Sequence, residues 1–134
     1  MPAITGQNAA ISWVYSGGTI ALDTDYRSFQ PNDSIDSYDQ SAGKDAYKTF
    51  VLGQKDGSYS YTGILQSGGT VVVNALAVGT SGTLIYGEEG TAVGKPKRSV
   101  PAYVSSFSKN VQYNALIEIS VTFQGNGDVV DGTF

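Results

Sequence analysis

A chain of 134 residues with a net charge of −4 and neither cysteine nor histidine can form no disulfide, no Cys-ligated zinc site and no imidazole-based catalytic machinery. Eight Lys and Arg against twelve Asp and Glu argue against a grip on nucleic acid, because phosphate contacts require clustered cations. Seventeen glycines and nine tyrosines favour strands joined by tight turns, all-β or β with one short helix, in one domain able to bury a core. No apolar run approaches the roughly 20 residues of a membrane span, and "MPAITGQNAA" lacks the basic start and apolar stretch of a signal peptide. Synthesis in the cytoplasm, with no membrane partner, is the expectation.

In chain order, "AISWVY" (Ala10–Tyr15) reads as a strand stopped by Gly17-Gly18, with "TIAL" (Thr19–Leu22) returning as its hairpin partner. "DYRSFQP" follows and ends at Pro31, which cannot donate to a central ladder. "DSIDSYD" (Asp33–Asp39) is a weaker strand, and "SAGKDAYK" (Ser41–Lys48) a polar loop. "YKTFVLGQKDGSYSYTGIL" (Tyr47–Leu65) predicts a hairpin turning at Asp56-Gly57. "TVVVNALAVG" (Thr70–Gly79) suits a short helix capped by Thr70 and ended by Gly79, with a strand as the alternative. Thr83–Ser108 gives a strand, a Gly/Pro-bearing loop and a further strand. The closing strand has apolar residues at every second position from Tyr113 to Phe123, with polar residues between them. The tail "NGDVVDGTF" has no periodicity and predicts a flexible arm over 126–134, as does 1–8 at the other end.

Chemical motifs are absent on inspection. "GTAVGKP" misses a phosphate-binding loop, with Glu89 at the required first glycine and Pro96 at the hydroxyl position. Asp33, Asp36 and Asp39 have the wrong spacing for a calcium loop. Glu88, Glu89 and Glu118 offer no evident glycosidase pair. No catalytic, metal or cofactor residues are therefore expected. "KPKR" (Lys95–Arg98) is the sole basic cluster and reads as pairing with acids, including those of a neighbouring subunit. Trp13 and the tyrosines read as core or interface anchors, with sugar stacking in a carbohydrate-binding module as the alternative.

The order of elements resembles that of phage tail tube proteins, the major tail proteins of long-tailed phages. The resemblance rests on Gly43, Tyr47, Gly53, Asp56-Gly57 and the strand Ser58–Ile64, then the apolar segment Val71–Val78. It continues through Gly90, Gly94 and Pro96 to a last strand carrying Ser120, Phe123, Gly125 and Gly127. It covers about four-fifths of the chain, leaving open a tail completion or adaptor protein as a relative. It implies a β-sandwich or partly closed barrel of antiparallel strands with one short flanking α-helix. It further implies a non-enzymatic virion subunit, assembling with itself into hexameric rings stacked as a tube, beside tape measure and tail terminator proteins. DNA would pass through without specific binding. On that reading Glu118, Ser120 and Thr122 are expected to face the lumen. Lys95, Lys97, Arg98, Asp128 and Phe134 are the candidate inter-subunit residues.

Overall fold

The computed structural model describes residues 9–23, 26–44, 46–65 and 74–134. The first hairpin follows the sequence reading. β1 (Ala10–Tyr15) and β2 (Gly18–Ala21) pair antiparallel from Tyr15↔Gly18 to Ser12↔Ala21. Gly18 takes the positive φ of 137°, which side chains disfavour.

The second hairpin departs from it. β3 (Tyr26–Asp39) joins the two expected segments into one strand that runs through Pro31. Proline is tolerated because β3 lies at the end of the strand order, where a missing N–H can face an open edge. β4 (Phe50–Ile64) likewise runs straight through the expected Asp56-Gly57 turn. Gly57 is not among the glycines with positive φ, so the left-handed turn that this dipeptide favours does not form. Both residues instead pair with β3, as Ser34↔Asp56 and Asp33↔Gly57, because a continuous partner strand outweighs a local turn preference. The actual reversal lies in the loop between Asp39 and Phe50, where a loop was expected.

β5 (Ser81–Gly87) and β6 (Pro96–Asn110) fall where a strand, a loop and a strand were expected. β7 (Glu118–Gly125) is shorter than the expected closing strand. Its ladder with β6 ends at Asn110↔Glu118, and Tyr113, ahead of it, is 99% exposed in the connecting loop. Alternation signals a half-buried strand only where a neighbour exists to pair with. The C-terminal arm contains a strand, β8 (Val130–Thr133), laid along β6 from Ser99↔Val130 to Pro96↔Thr133. The N-terminal arm lies outside the described residues.

Among the described residues the strands form one antiparallel sheet, ordered β2-β1-β5-β6-β7-β4-β3 with β8 on β6, and the sheet is not closed into a barrel. β6 turns it. Its first half pairs with β5 and its second with β7, the two ladders sharing only Ala102 and Tyr103. In a flat sheet, strands four places apart would be separated by roughly 19 Å. Yet Phe29 on β3 meets Tyr86 on β5, four places away, at 4.9 Å between ring centroids, and Trp13 on β1 meets Phe123 on β7, three places away, at 4.7 Å. The sheet therefore folds over, and its two halves bury a shared core of Ile11, Trp13, Tyr59, Leu84, Val100, Val121 and Phe123.

The expected helix over Thr70–Gly79 is described only from residue 74. Asn74 and Ala75 are helical and a turn follows, so no helix is an element among the described residues. Ala75 and Leu76 are not flanking: both are fully buried in the core. Ala75 accepts a hydrogen bond from Trp13 Nε1 at 3.1 Å. Gly79 ends the segment at φ 91° and donates to Val104 O.

The fold leaves no room at Gly82, opposite Tyr15 in the β1–β5 ladder. A Cβ there would lie 2.2 Å from Val14 O and 3.0 Å from Trp13 Cζ2. Gly82→Ala should cost about 1–3 kcal/mol through forced separation of the strands, read as a lower urea midpoint.

Candidate functional site

Two surfaces stand out from the core. The first is the outer face of β6, β7, β4 and β3. Since Tyr59, Tyr61, Val121 and Phe123 point inward, the residues between them point out. Register then aligns them into rows. One runs Ser108, Ser120, Thr62, Ser28; the next Ser106, Thr122, Ser60, Gln30; a third Tyr103, Gln124, Ser58, Asn32. These positions carry hydroxyls and amides and no formal charge. Charge appears at the borders, where Arg27 pairs with Glu118 and Gln124 Nε2 donates to Asp56 Oδ1 at 2.6 Å.

Ser120 and Thr122 thus sit together on this face as the alternation indicated. Glu118 is brought to its border and held in an ion pair with Arg27, so it contributes little net negative potential. Sequence reasoning missed the other contributors. The signal was present in "SYSYT" (Ser58–Thr62), where small hydroxyls alternate with buried tyrosines as they do in "SVT" (Ser120–Thr122).

The second surface is a projecting hairpin. The β4–β7 ladder ends at Ser58↔Gln124, while the β3–β4 ladder continues to Asp39↔Phe50. Beyond that level, among the described residues, each strand has only the other for a partner. A two-stranded ribbon is marginal in water on its own. This one also exposes apolar side chains: Tyr38 at 62%, Phe50 at 51% and Leu52 at 66%. By register Tyr38 shares a face with Val51, while Phe50 and Leu52 lie on the other, so the ribbon shows apolar groups to water on both faces, a feature common at sites of protein contact.

At the root of the hairpin, a cleft of about 320 Å³ is lined by Pro31, Asp33, Tyr86, Glu88, Lys97, Arg98 and Asp131, among others. Arg98, an expected inter-subunit residue, is engaged within its own chain. It donates to Asp131 at 2.6 Å through Nε and to Asp33 at 2.5 Å through Nη1. Asp131, then Asp33 and Tyr86, hold the guanidinium above its ordinary pKa, against the opposing effect of burial. Lys97 lies over the Phe134 ring at 5.5 Å. Phe134 packs against Gly87, and its backbone bonds to Gly94 and Lys95. Lys95 and Asp128 are exposed, beyond opposite ends of the β6–β8 ladder. Among the described residues no three metal-ligating side chains gather.

Burial, followed by the hydrogen bond to Asp33 and its charge, raises the Tyr59 pKa; burial raises that of Tyr86 as well. A phenol with a raised folded pKa binds its proton more tightly when folded. Its contribution is therefore full below the ordinary value of 10.0 and is lost as pH rises beyond it. Urea midpoints should hold steady from about pH 8 to 9.5 and fall by about pH 11.5. Tyr59→Phe should flatten that alkaline decline.

Trp13 is 0% exposed, which removes it as a platform for a sugar ring.

No family model and no curated protein matches this sequence. Solved structures match in fold. A chain in the C6-symmetric tail of an empty gene transfer agent particle aligns with a TM-score of 0.76 over 98% of this chain and 100% of that one, at 11% identity. A chain of the SPP1 tail tube aligns at 0.74 over 98% of this chain and 80% of that one, at 13% identity. A chain in the sheath–tube complex of an extracellular contractile injection system aligns at 0.71 over 98% and 93%, at 12% identity. The fold is that of tail-tube structures. It is shared by chains of a gene transfer agent tail, the SPP1 tube and a contractile injection system.

Proposed function

We propose that this chain is a structural subunit of a phage tail tube, located in the virion tail and without enzymatic activity. The observation that carries the reading is the end-to-end fold match to a chain from a C6-symmetric tail. On this reading six copies form a ring, rings stack, and the tube meets other tail proteins such as a tape measure and a tail terminator.

The hydroxyl and amide rows of β6-β7-β4-β3 have a use in such a tube. Binding of DNA is driven largely by cations that displace counterions from phosphates. A wall built from Ser60, Ser106, Ser120 and Thr122 brings no cation, so DNA passes without being held. The projecting hairpin supplies adhesion between copies, and Lys95, Asp128 and Phe134 are further candidate contacts.

Negative-stain microscopy of the concentrated protein tests this. Rings or tubes about six subunits around are expected, in keeping with closed cyclic assembly. Featureless monomers under every condition tried would count against it.

A further inference from the structure

We infer that Arg98 couples the root of the projecting hairpin to the C-terminal strand, so that the two segments are held or loosened together. Both are weakly supported elsewhere. The hairpin leaves the sheet just past Asn32↔Ser58, and Asp33 is the first β3 residue beyond that level. β8 has four residues, all exposed, and among the described residues it pairs with β6 alone. Among the described residues no hydrogen bond or ion pair joins 130–133 directly to 33–39 or 50–57, and the cleft lies between them.

One guanidinium spans that gap. Nη1 donates to Asp33 Oδ2 at 2.5 Å, while Nε and Nη2 reach the two oxygens of Asp131 at 2.6 and 3.4 Å. Asp33 is steadied from the core side by the Tyr59 hydroxyl at 3.1 Å, and Tyr59 is fully buried. Once Asp33 fixes Nη1, the rigid planar fork is already oriented for its two-point contact with Asp131. The loss of arginine rotamer freedom is then shared by both contacts, which makes them cooperative. Repulsion between the two carboxylates opposes this. They are 52% and 66% exposed, however, so water screens it. The other ionisable groups facing the cleft are Tyr86, Glu88 and Lys97.

The consequence for assembly rests on the tube reading. Where docking onto a second copy shifts the hairpin root enough to part Asp33 from Arg98, β8 loses part of its hold, and the C-terminal strand of such a subunit is easier to release than that of a free one.

Hydrogen exchange on dispersed subunits tests the coupling without requiring assembly. Asp33→Asn should speed exchange of the Val130–Thr133 amides by about two- to fivefold, the scale of one partly exposed ion pair. Asp131→Asn should do the same for amides at the hairpin root. Arg98→Gln should loosen both, and on that background Asp33→Asn should leave β8 unchanged. Unchanged or slower β8 exchange in Asp33→Asn overturns the coupling, even if tubes form normally. Coupled exchange in a protein that never assembles upholds it while removing the tube reading.

Discussion

Replacing Tyr38, Phe50 and Leu52 together with serine should abolish ring and tube formation while leaving the sheet folded. All three sit on the hairpin beyond the last β4–β7 pair and are more than half exposed in the single subunit. Their removal costs little in the folded monomer, because exposed substitutions usually shift stability by within about 0.5 kcal/mol each. In an interface the same side chains would be buried, each contributing about 1.5–3 kcal/mol if fully covered. The loss is repeated at every contact of every ring. Circular dichroism should report an unchanged β signal with a nearly unchanged urea midpoint, and microscopy should report no assemblies. Tubes of normal yield from the triple variant would show that adhesion lies elsewhere.

The largest effect on stability is expected at Trp13. It is the only tryptophan, is 0% exposed, packs on Phe123 across the folded sheet and bonds to Ala75 O. Trp13→Ala should cost about 3–5 kcal/mol, as large core truncations do. It leaves a cavity where the two halves of the sheet meet and strips the buried Ala75 carbonyl of its donor. Since domains of this size are stable by only about 5–15 kcal/mol, much of the protein's margin would go. Unfolding should be followed by circular dichroism, because the variant has no indole fluorescence. A loss below 1 kcal/mol would mean that the halves do not rely on this contact.

What the sequence disclosed depended on the range of the interaction. β1 and β5 were legible from β-branched and aromatic runs ended by glycine, and β6 from the run that follows the Gly/Pro-bearing loop. Ile119, Val121 and Phe123 were legible as a core face from their alternation. The Asp56-Gly57 turn was misread because its signal is local, whereas the pairing of β4 with β3 that overrides it is not. β8 was invisible for a related reason. "VDGT" has both faces in water and so shows no periodicity; it is a strand because β6 offers it an edge. Ala75 and Leu76 looked like the face of a flanking helix, and only the tertiary structure reveals that they enter the core.

The functional surface divides in the same way. Ser120 and Thr122 could be placed on a wet face from one strand alone. That face becomes a four-strand hydroxyl field only once Ser106, Ser60 and Gln30 are brought alongside Thr122 by register. Arg98 was a basic residue without a known partner in the linear reading. Its carboxylates, Asp131 and Asp33, are 33 and 65 positions away, and no short-range pattern connects them.

On the proposed reading, an uncharged sheet face of one subunit becomes the inner wall of a channel built from many. A cryo-EM map of assembled tubes, resolved well enough to trace strands, tests it most directly. Ser60, Ser120 and Thr122 should point at the tube axis, with Tyr38 and Leu52 covered by adjacent copies. A map with those hydroxyls on the outer surface and a different strand set around the axis would contradict it.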